Sequence, residues 1–336
     1  MANGPSHGSP PRVTVIGAGV AGLVSALELT ERGADVEVLE RGPRIGDHSC
    51  SWFAGGMLAP WCERESADGT VTTLGSVALD WWPHHFPGTR TNGTLVVAPP
   101  RDTGDLVAFS HRTERFEWLD AAGIEILEPD LAGRFRKALF FADEAHVDPR
   151  RALDCLAQRL VGLGVSIRFG VDASVIDLDA DHVLECRGLA AHDVLTDLRG
   201  VRGEMLIVRS PDITLSRPVR MLHPRFPIYV VPRGDGVFMI GATVIERGDR
   251  GAMTARSAVE LINAAYALHP AFGEAEILEM GADARPAFPD NLPRLVQCGR
   301  TLHLNGLYRH GFLLAPAMAR QAAAAILANA PTGAVA

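Results

Sequence analysis

The chain is short of the features that announce many protein classes. Its five cysteines, Cys50, Cys62, Cys155, Cys186 and Cys298, are an odd number without close pairing. That excludes a disulfide framework and a zinc site and suits reduced thiols in a cytosolic protein, with Cys186 and Cys298 read as buried. There is no lysine- or arginine-rich run, and the formal charge is −8, which argues against a nucleic-acid surface. The uncharged stretch VTVIGAGVAGLVSAL is too short to span a bilayer and is broken by small residues, so no membrane segment is expected. The opening MANGPSHGSPP has neither a basic nor an apolar region of signal type, and residues 1–11 are expected to be a disordered tail. No internal repeat is visible. The 12 histidines show no metal spacing, and none stands with serine or cysteine in a nucleophile signature. His84 and His85 read as a surface or loop pair.

What is present begins with size. With 336 residues, 47% of them hydrophobic, the chain exceeds the length at which one core stops growing, and two domains are expected. RVTVIGAGVAGLVSALELTERGADVEVLER then reads as strand, tight turn, helix and second strand. Val13, Val15 and Ile16 give the buried strand, while Leu23, Ala26 and Leu27 recur at helical spacing. Gly17 permits the turn, Gly19 leaves room for a pyrophosphate, and Gly22 allows helix and strand to pack closely. The helix start then offers unpaired N–H groups to phosphate. Glu40, ending the second strand, suits a ribose diol and disfavours a 2′-phosphate.

The next segment separates two dinucleotides. An NAD domain would run on into further helix–strand units, whereas this chain continues RGPRIGDHSCSWFAGGMLAP. Ser49 and Ser51 can bond phosphate or ribityl oxygens, and Gly55 and Gly56 let backbone lie against a flat ring. An ordinary flexible loop would have a similar composition. The length of cofactor such a loop could cover favours FAD.

Farther on, tryptophan and proline cluster in DWWPHHFPG, followed by a strand GTLVVA and charged helical segments around 103–122. HVDPRRALDCLAQRLVGLGVSIRFG predicts a helix capped by Asp148 with Pro149 in its first turn, then a strand. ASVIDLDADHVLEC predicts a hairpin. FPIYVVPR and VFMIGATV are strands joined by a turn at Gly234, Asp235 and Gly236; GEMLIVR is a third. SAVELINAAYALHPAF is a helix, and RTLHLNGLYRHGFLLAP is strand, loop and the start of the last helix. A chain that crosses between two domains several times would place a substrate pocket between them.

Cationic residues in apolar context are Arg285 and Arg309, whose planar guanidinium groups could grip a carboxylate with two parallel bonds. For a single arginine, a structural salt bridge is the commoner role. Tyr229, one of three tyrosines, alternates with inward-facing positions and could equally be a core tyrosine with its hydroxyl at the edge. No histidine is assigned an acid–base role.

Taken together, VIGAGVAGL…VLER, SWFAGGMLAP, HVDPRRAL, VRGEMLIV, YVVPRGDGVFMIGAT and NGLYRHGFLLAP resemble the glycine oxidases of thiamine biosynthesis, in the D-amino-acid oxidase superfamily of FAD enzymes. The resemblance covers nearly the whole chain. It implies an α/β (α+β) fold: a Rossmann-like FAD-binding domain of glutathione-reductase type and an interleaved antiparallel-sheet substrate domain. The expected division is 12–62, 146–202 and 290–330 for the first and 63–145 and 203–289 for the second. It further implies that Arg309 grips the substrate carboxylate, that Arg285 and Tyr229 lie at the substrate site, and that Leu307, Tyr308, His310, Gly311, Phe312 and Leu313 face the flavin. Val20, Ala21, Arg41, Met57 and Ala173 are implied as further cofactor contacts. Two places depart from the family pattern. Residues 185–193, ECRGLAAHD, replace a small-residue segment, and Val244 follows GAT, where it would help line the pocket.

The implied reaction is oxidative deamination of a small amino acid, glycine first, to an imino acid or glyoxylate, with O₂ reduced to H₂O₂. A cytoplasmic enzyme, with homo-oligomers allowed and no nucleic-acid or membrane partner, completes this expectation. Two rivals remain: an FAD-dependent dehydrogenase of sarcosine, proline or another D-amino acid using a different acceptor, and a flavin-binding regulatory protein without turnover.

Overall fold

The computed structural model describes residues 9–328 apart from 48, 174, 175, 177 and 224. Most of the expected tail, residues 1–8, therefore lies outside the described residues, as do residues 329–336.

The first sheet has six strands, in spatial order Arg294–Cys298, Thr301–Asn305, His182–Glu185, Arg12–Ile16, Asp35–Glu40 and Ser166–Phe169. All its pairings are parallel except the outer hairpin between the first two. Its central strand has the uninterrupted apolar character of a strand covered on both faces: Val13 and Val15 are almost fully buried. Helices Val20–Glu31, Pro149–Gly162 and Gly311–Ala328 pack with it in one apolar cluster. Asp148 caps the second of these by accepting from the N–H groups of Arg150 and Arg151, as its position before Pro149 predicts.

The second sheet has eight strands, in the order Glu276–Ala287, Arg199–Arg209, Val237–Gly241, Ile228–Gly234, Val219–Met221, Thr94–Val97, Lys137–Phe141 and Glu117–Asp120. Only the pairing of Val219–Met221 with Thr94–Val97 is parallel. Helix Ala255–Leu268 lays Leu261, Ala264, Ala265 and Leu268 against the core of this sheet. The turn at 234–236 takes positive φ at all three residues, which the two glycines accept without strain and Asp235 tolerates.

Several expectations change. The charged stretch at 103–122 is helical only over Thr103–Ser110 and from Ala121. Glu117–Asp120 is an edge strand: among the described residues it pairs with Lys137–Phe141 alone. Of the expected hairpin, residues 174, 175 and 177 fall outside the described residues. The strand that is described, His182–Glu185, pairs in parallel with Arg12–Ile16 and Thr301–Asn305. His84 and His85 end a helix, Gly69–His85, and only His84 is exposed; His85 is buried, its ring stacked 4.0 Å from that of Trp81. Cys298 is exposed, at the end of the outer strand, while Cys186 is buried as expected.

Gly311–Ala328 is long and apolar enough to cross a membrane by length and composition. Here its apolar length is spent on protein: it packs against Val20–Glu31 and Gly69–His85, and Trp82 Nε1 donates to the Phe312 carbonyl at 2.8 Å.

Candidate active site

Two adjoining cavities lie along the line where the sheets meet. The larger, about 530 Å³, runs from Glu40 and Arg41 past Gly17, Gly19, Val20 and Ala21 to Ser49, Ser51 and Ala173. It continues to Leu307, Tyr308 and Gly311. The smaller, about 190 Å³, shares Ser51, Tyr308 and Gly311 and adds Gly55, Gly56, Met57, Tyr229, Val244 and Arg285. Arg309, His310, Phe312 and Leu313 close it. Of the residues expected to meet cofactor or substrate, Gly22 alone lines neither.

Gly22 has a different task. A Cβ there would sit 1.8 Å from the Gly17 carbonyl oxygen, so the helix can approach the turn only with glycine at this position. Gly17 takes φ +100°, which an L side chain would strain. The turn is then pinned: the Gly17 N–H donates to the Leu39 carbonyl, and the Glu40 carboxylate accepts from the N–H groups of Ala18 at 2.7 Å and Gly42 at 2.8 Å. The helix starting at Val20 has no capping side chain on its own N-cap residue, Gly19. The Ser51 hydroxyl accepts from the Val20 N–H at 3.2 Å, and Ser49 in turn accepts from the Ser51 N–H. An elongated cavity that begins at a carboxylate and passes a helix N-terminus wrapped in glycine fits a dinucleotide with a pyrophosphate at its middle. Gly55 and Gly56 meet protein on their Cβ sides: Gly55 faces the Tyr229 ring, and Gly56 faces the Val147 carbonyl and Pro149. Arg233 clamps this loop by donating to the carbonyls of Ala54, Gly55 and Val147, and its burial lowers the guanidinium pKa to about 10.

The segment that departs from the family pattern is held by its own charges. Arg187 pairs with Glu185 and Asp193, both at 3.0 Å, and Cys186 sends its N–H to the Ile16 carbonyl. Arg187 and Asp193 thereby reach the wall of the larger cavity.

The smaller cavity is built by the second sheet's register. Tyr229 lies opposite Arg220 on one neighbouring strand and opposite Gly241 on the other. A Cβ on Gly241 would collide with the Tyr229 ring, and one on Gly203 would collide with the Arg285 guanidinium. Two glycines therefore make room for the two functional side chains. Arg285 donates to the Thr243 carbonyl at 3.1 Å and, among the described residues, has no carboxylate partner.

Arg309 does have one. Its Nη2 stands 3.0 Å from Glu63 Oε2, and Arg220 Nη1 stands 2.9 Å from Glu63 Oε1. Burial alone would raise the Glu63 carboxyl, but Arg309, Arg220 and His310 hold it down to about 2. His310, 3.7 Å from the same oxygen, is lowered by burial to about 4 and is neutral at physiological pH. The Tyr229 hydroxyl is pushed up by burial and stays protonated. Behind this cluster, Glu144 is fully buried. One oxygen accepts from the Cys62 N–H at 2.7 Å and the other has no hydrogen-bond partner among the described residues; burial raises its pKa to about 8.

Glu63 and Arg220 went unread in the sequence, although a signal for each was there. Arg220 is flanked by two buried apolar residues in a strand, so it must point to the other face, the one Tyr229 occupies. Glu63 follows the glycine loop inside an apolar segment. Among the described residues no group of three or more His, Cys, Asp or Glu is placed to hold a metal.

A profile of FAD dependent oxidoreductases, the DAO family, matches residues 12–325. The chain belongs to that family. FAD is accordingly its cofactor, and the cavity geometry above fits it. A putative thiamine biosynthesis oxidoreductase, ThiO, from Rhizobium etli is 58% identical over 317 residues, 94% of this chain and 96% of that protein. A glycine oxidase from Pseudomonas putida is 28% identical over 343 residues, 91% of this chain and 92% of that one. Among solved structures, glycine oxidase from Bacillus cereus superposes with a TM-score of 0.81 at 21% identity, covering 96% of each chain. The family's mixed α/β architecture is thus shared across low sequence identity.

Proposed function

We propose that this enzyme oxidises the amine of a small α-amino acid, glycine first, to an imino acid that hydrolyses to glyoxylate, with O₂ as electron acceptor and H₂O₂ as product. The name of the Rhizobium etli relative supports placing it in thiamine biosynthesis, and that of the Pseudomonas putida relative supports glycine as substrate. The observation that carries the reading is Arg285: a guanidinium that has no carboxylate partner among the described residues, on the wall of a small cavity that adjoins the dinucleotide cavity.

Bound FAD supplies the two-electron acceptor. The chain supplies position and electrostatics. Arg285 takes the substrate carboxylate through its planar fork. The protonated Tyr229 hydroxyl donates beside it, and His310, being neutral, adds no competing charge. The resemblance gives the carboxylate to Arg309, but Glu63 already engages that guanidinium, and we assign the clamp to Arg285 instead. Holding the substrate by one end fixes its Cα against the cofactor side of the cavity, so the oxidation proceeds as a near-unimolecular event. Met57, Ile228, Phe312 and Leu313 supply apolar wall between the charged groups. We also propose a cytoplasmic location and the two-domain division set out from the sequence. The strands of the two sheets fall on either side of it except Arg199–Arg209, which runs across position 202, and helix Gly69–His85 packs in the apolar cluster of the first sheet.

The test is anaerobic mixing of the FAD-loaded protein with glycine, sarcosine and D-alanine, followed by air. Bleaching with glycine and one H₂O₂ per amine consumed are expected. A flavin that none of them reduces would overturn the proposal. Bleaching without peroxide in air would point to a dehydrogenase with another acceptor.

A further inference from the structure

We propose that Glu63 restricts the substrate to amino acids with one anionic group, by holding Arg309 and Arg220 as its partners and leaving Arg285 alone to take a carboxylate. This rests on the reading of the small cavity as an amino-acid site.

Three guanidinium groups, those of Arg220, Arg285 and Arg309, line the same cavity of about 190 Å³. Two carboxylates line it with them, Glu63 and Asp283. Asp283 is bridged by Arg250 at 2.5 and 2.6 Å, so its charge is met from the side. Glu63 is the carboxylate that faces the arginines of the cavity itself, with one oxygen on Arg220 and the other on Arg309. Without it, three cationic forks would share one small space, a site built for two or more anionic groups.

The Glu63–Arg309 contact has a further peculiarity. At 3.0 Å the charges are adjacent, yet Glu63 Oε2 is buried without an aligned hydrogen bond, while Arg309 Nη2 donates to Ser66 Oγ. The pairing is one of charge rather than of fork geometry. A structural salt bridge gains its strength from aligned, charge-assisted hydrogen bonds. Here the carboxylate neutralises a guanidinium that is oriented by something else. Held at about 2 by its cationic neighbours, Glu63 stays ionised at every pH at which such an enzyme would work. A ligand's second carboxylate would enter against that fixed negative charge and find Arg309 already matched; like charges brought together at a buried site are strongly disfavoured.

The test uses the FAD-loaded enzyme and two non-reacting probes, acetate and malonate, each titrated against the flavin absorbance spectrum at neutral pH. The wild type is expected to bind malonate no more tightly than acetate. Glu63→Gln keeps the shape and an acceptor for Arg220 but removes the charge. It should shift the acetate-to-malonate Kd ratio toward malonate by roughly tenfold or more. Arg309→Met tilts the balance the other way and should move the ratio toward acetate. These opposite signs separate charge selection from simple loosening, which would weaken both probes alike. Because the Arg309→Met arm is independent, the idea stays testable if Glu63→Gln does not load FAD. A wild type that strongly prefers malonate, or a ratio that moves in neither variant, would overturn the proposal. Neither titration needs turnover. Ratios that shift as expected in a protein whose flavin neither glycine, sarcosine nor D-alanine reduces would retain the charge selection and reject the oxidase. Glycine bleaching with an unmoved ratio would do the reverse.

Discussion

The two cavities meet at Tyr308 and Gly311 but are made in different ways. The cofactor end is built by backbone: a turn at positive φ, a glycine pressed onto a carbonyl, and N–H groups gathered by Glu40, Ser49 and Ser51. The substrate end is built by side chains brought from separate strands and loops, with charges of both signs buried within contact of one another. A backbone site tolerates almost no added atom. A charge site tolerates changes of shape and responds to changes of charge.

Adding one methyl group at the cofactor end should have the largest effect. Gly22→Ala places a Cβ 1.8 Å from the Gly17 oxygen, and neither the turn nor the helix can yield without moving the other. We expect purified Gly22→Ala to retain essentially no FAD after gel filtration. Full flavin content would show that the turn is softer than its geometry indicates.

At the substrate end, the corresponding test removes charge. Deleting one member of a desolvated charge pair costs about 2–5 kcal/mol, so Arg285→Ala should lower kcat/KM for glycine by roughly 30- to 5000-fold. FAD content should be unchanged. Arg285→Lys should recover only part, since the fork is lost. Arg309→Ala should cost less in catalysis and more in melting temperature, because it leaves Glu63 with Arg220 as its remaining guanidinium. The reverse order, Arg309 worse than Arg285, would return the carboxylate to Arg309.

The same contrast explains what could be read in advance. The cofactor end is local: strand, turn, helix and terminal acid fall within residues 12–40, and each is visible as a spacing. Asp148 before Pro149 was legible for the same reason. The substrate end depends on register. Tyr229 and Arg220 become neighbours only when Val219–Met221 and Ile228–Gly234 pair, and the roles of Gly203 and Gly241 appear only as the volumes that Arg285 and Tyr229 fill. Arg285 and Arg309 were both singled out, but which one is already matched depends on Glu63, more than 240 positions before Arg309. Even the strand that carries Arg285, Glu276–Ala287, was hidden by its glycine and charge content.

Buried charge also leaves a trace in the pH dependence of stability, and the substrate end should carry it. Glu144, raised to about 8 by burial, binds its proton more tightly folded than unfolded, where a glutamate titrates near 4.5. The folded state therefore holds more protons between those values, and stability falls as pH rises through that window, by up to several kcal/mol. Below it the contribution is fully present. His310, lowered to about 4, acts oppositely and loses stability as pH drops from 6.5 toward 4. Glu144→Gln, a neutral near-isostere, should flatten the decline in melting temperature between pH 6 and 8 and leave the acid limb in place. An unchanged alkaline slope would show that Glu144 is not its source.

The smallest expected effect comes from deleting a side chain where backbone dominates. Ser51 accepts the Val20 N–H at the start of the helix that faces the cofactor cavity. Losing a capping hydroxyl costs about 1 kcal/mol, because one N–H is left to find another acceptor. In the FAD-loaded protein a phosphate oxygen can serve, which offsets part of that cost. Ser51→Ala should therefore weaken FAD binding by no more than about fivefold, measured by titrating the apoprotein with FAD. The turn itself, set by Gly17, Gly22 and Glu40, is untouched. Turnover at saturating FAD should remain close to wild type. A loss of a hundredfold or more would mean that the hydroxyl grips the cofactor directly, and the contrast between a backbone end and a side-chain end would have to be redrawn with Ser51 on the other side.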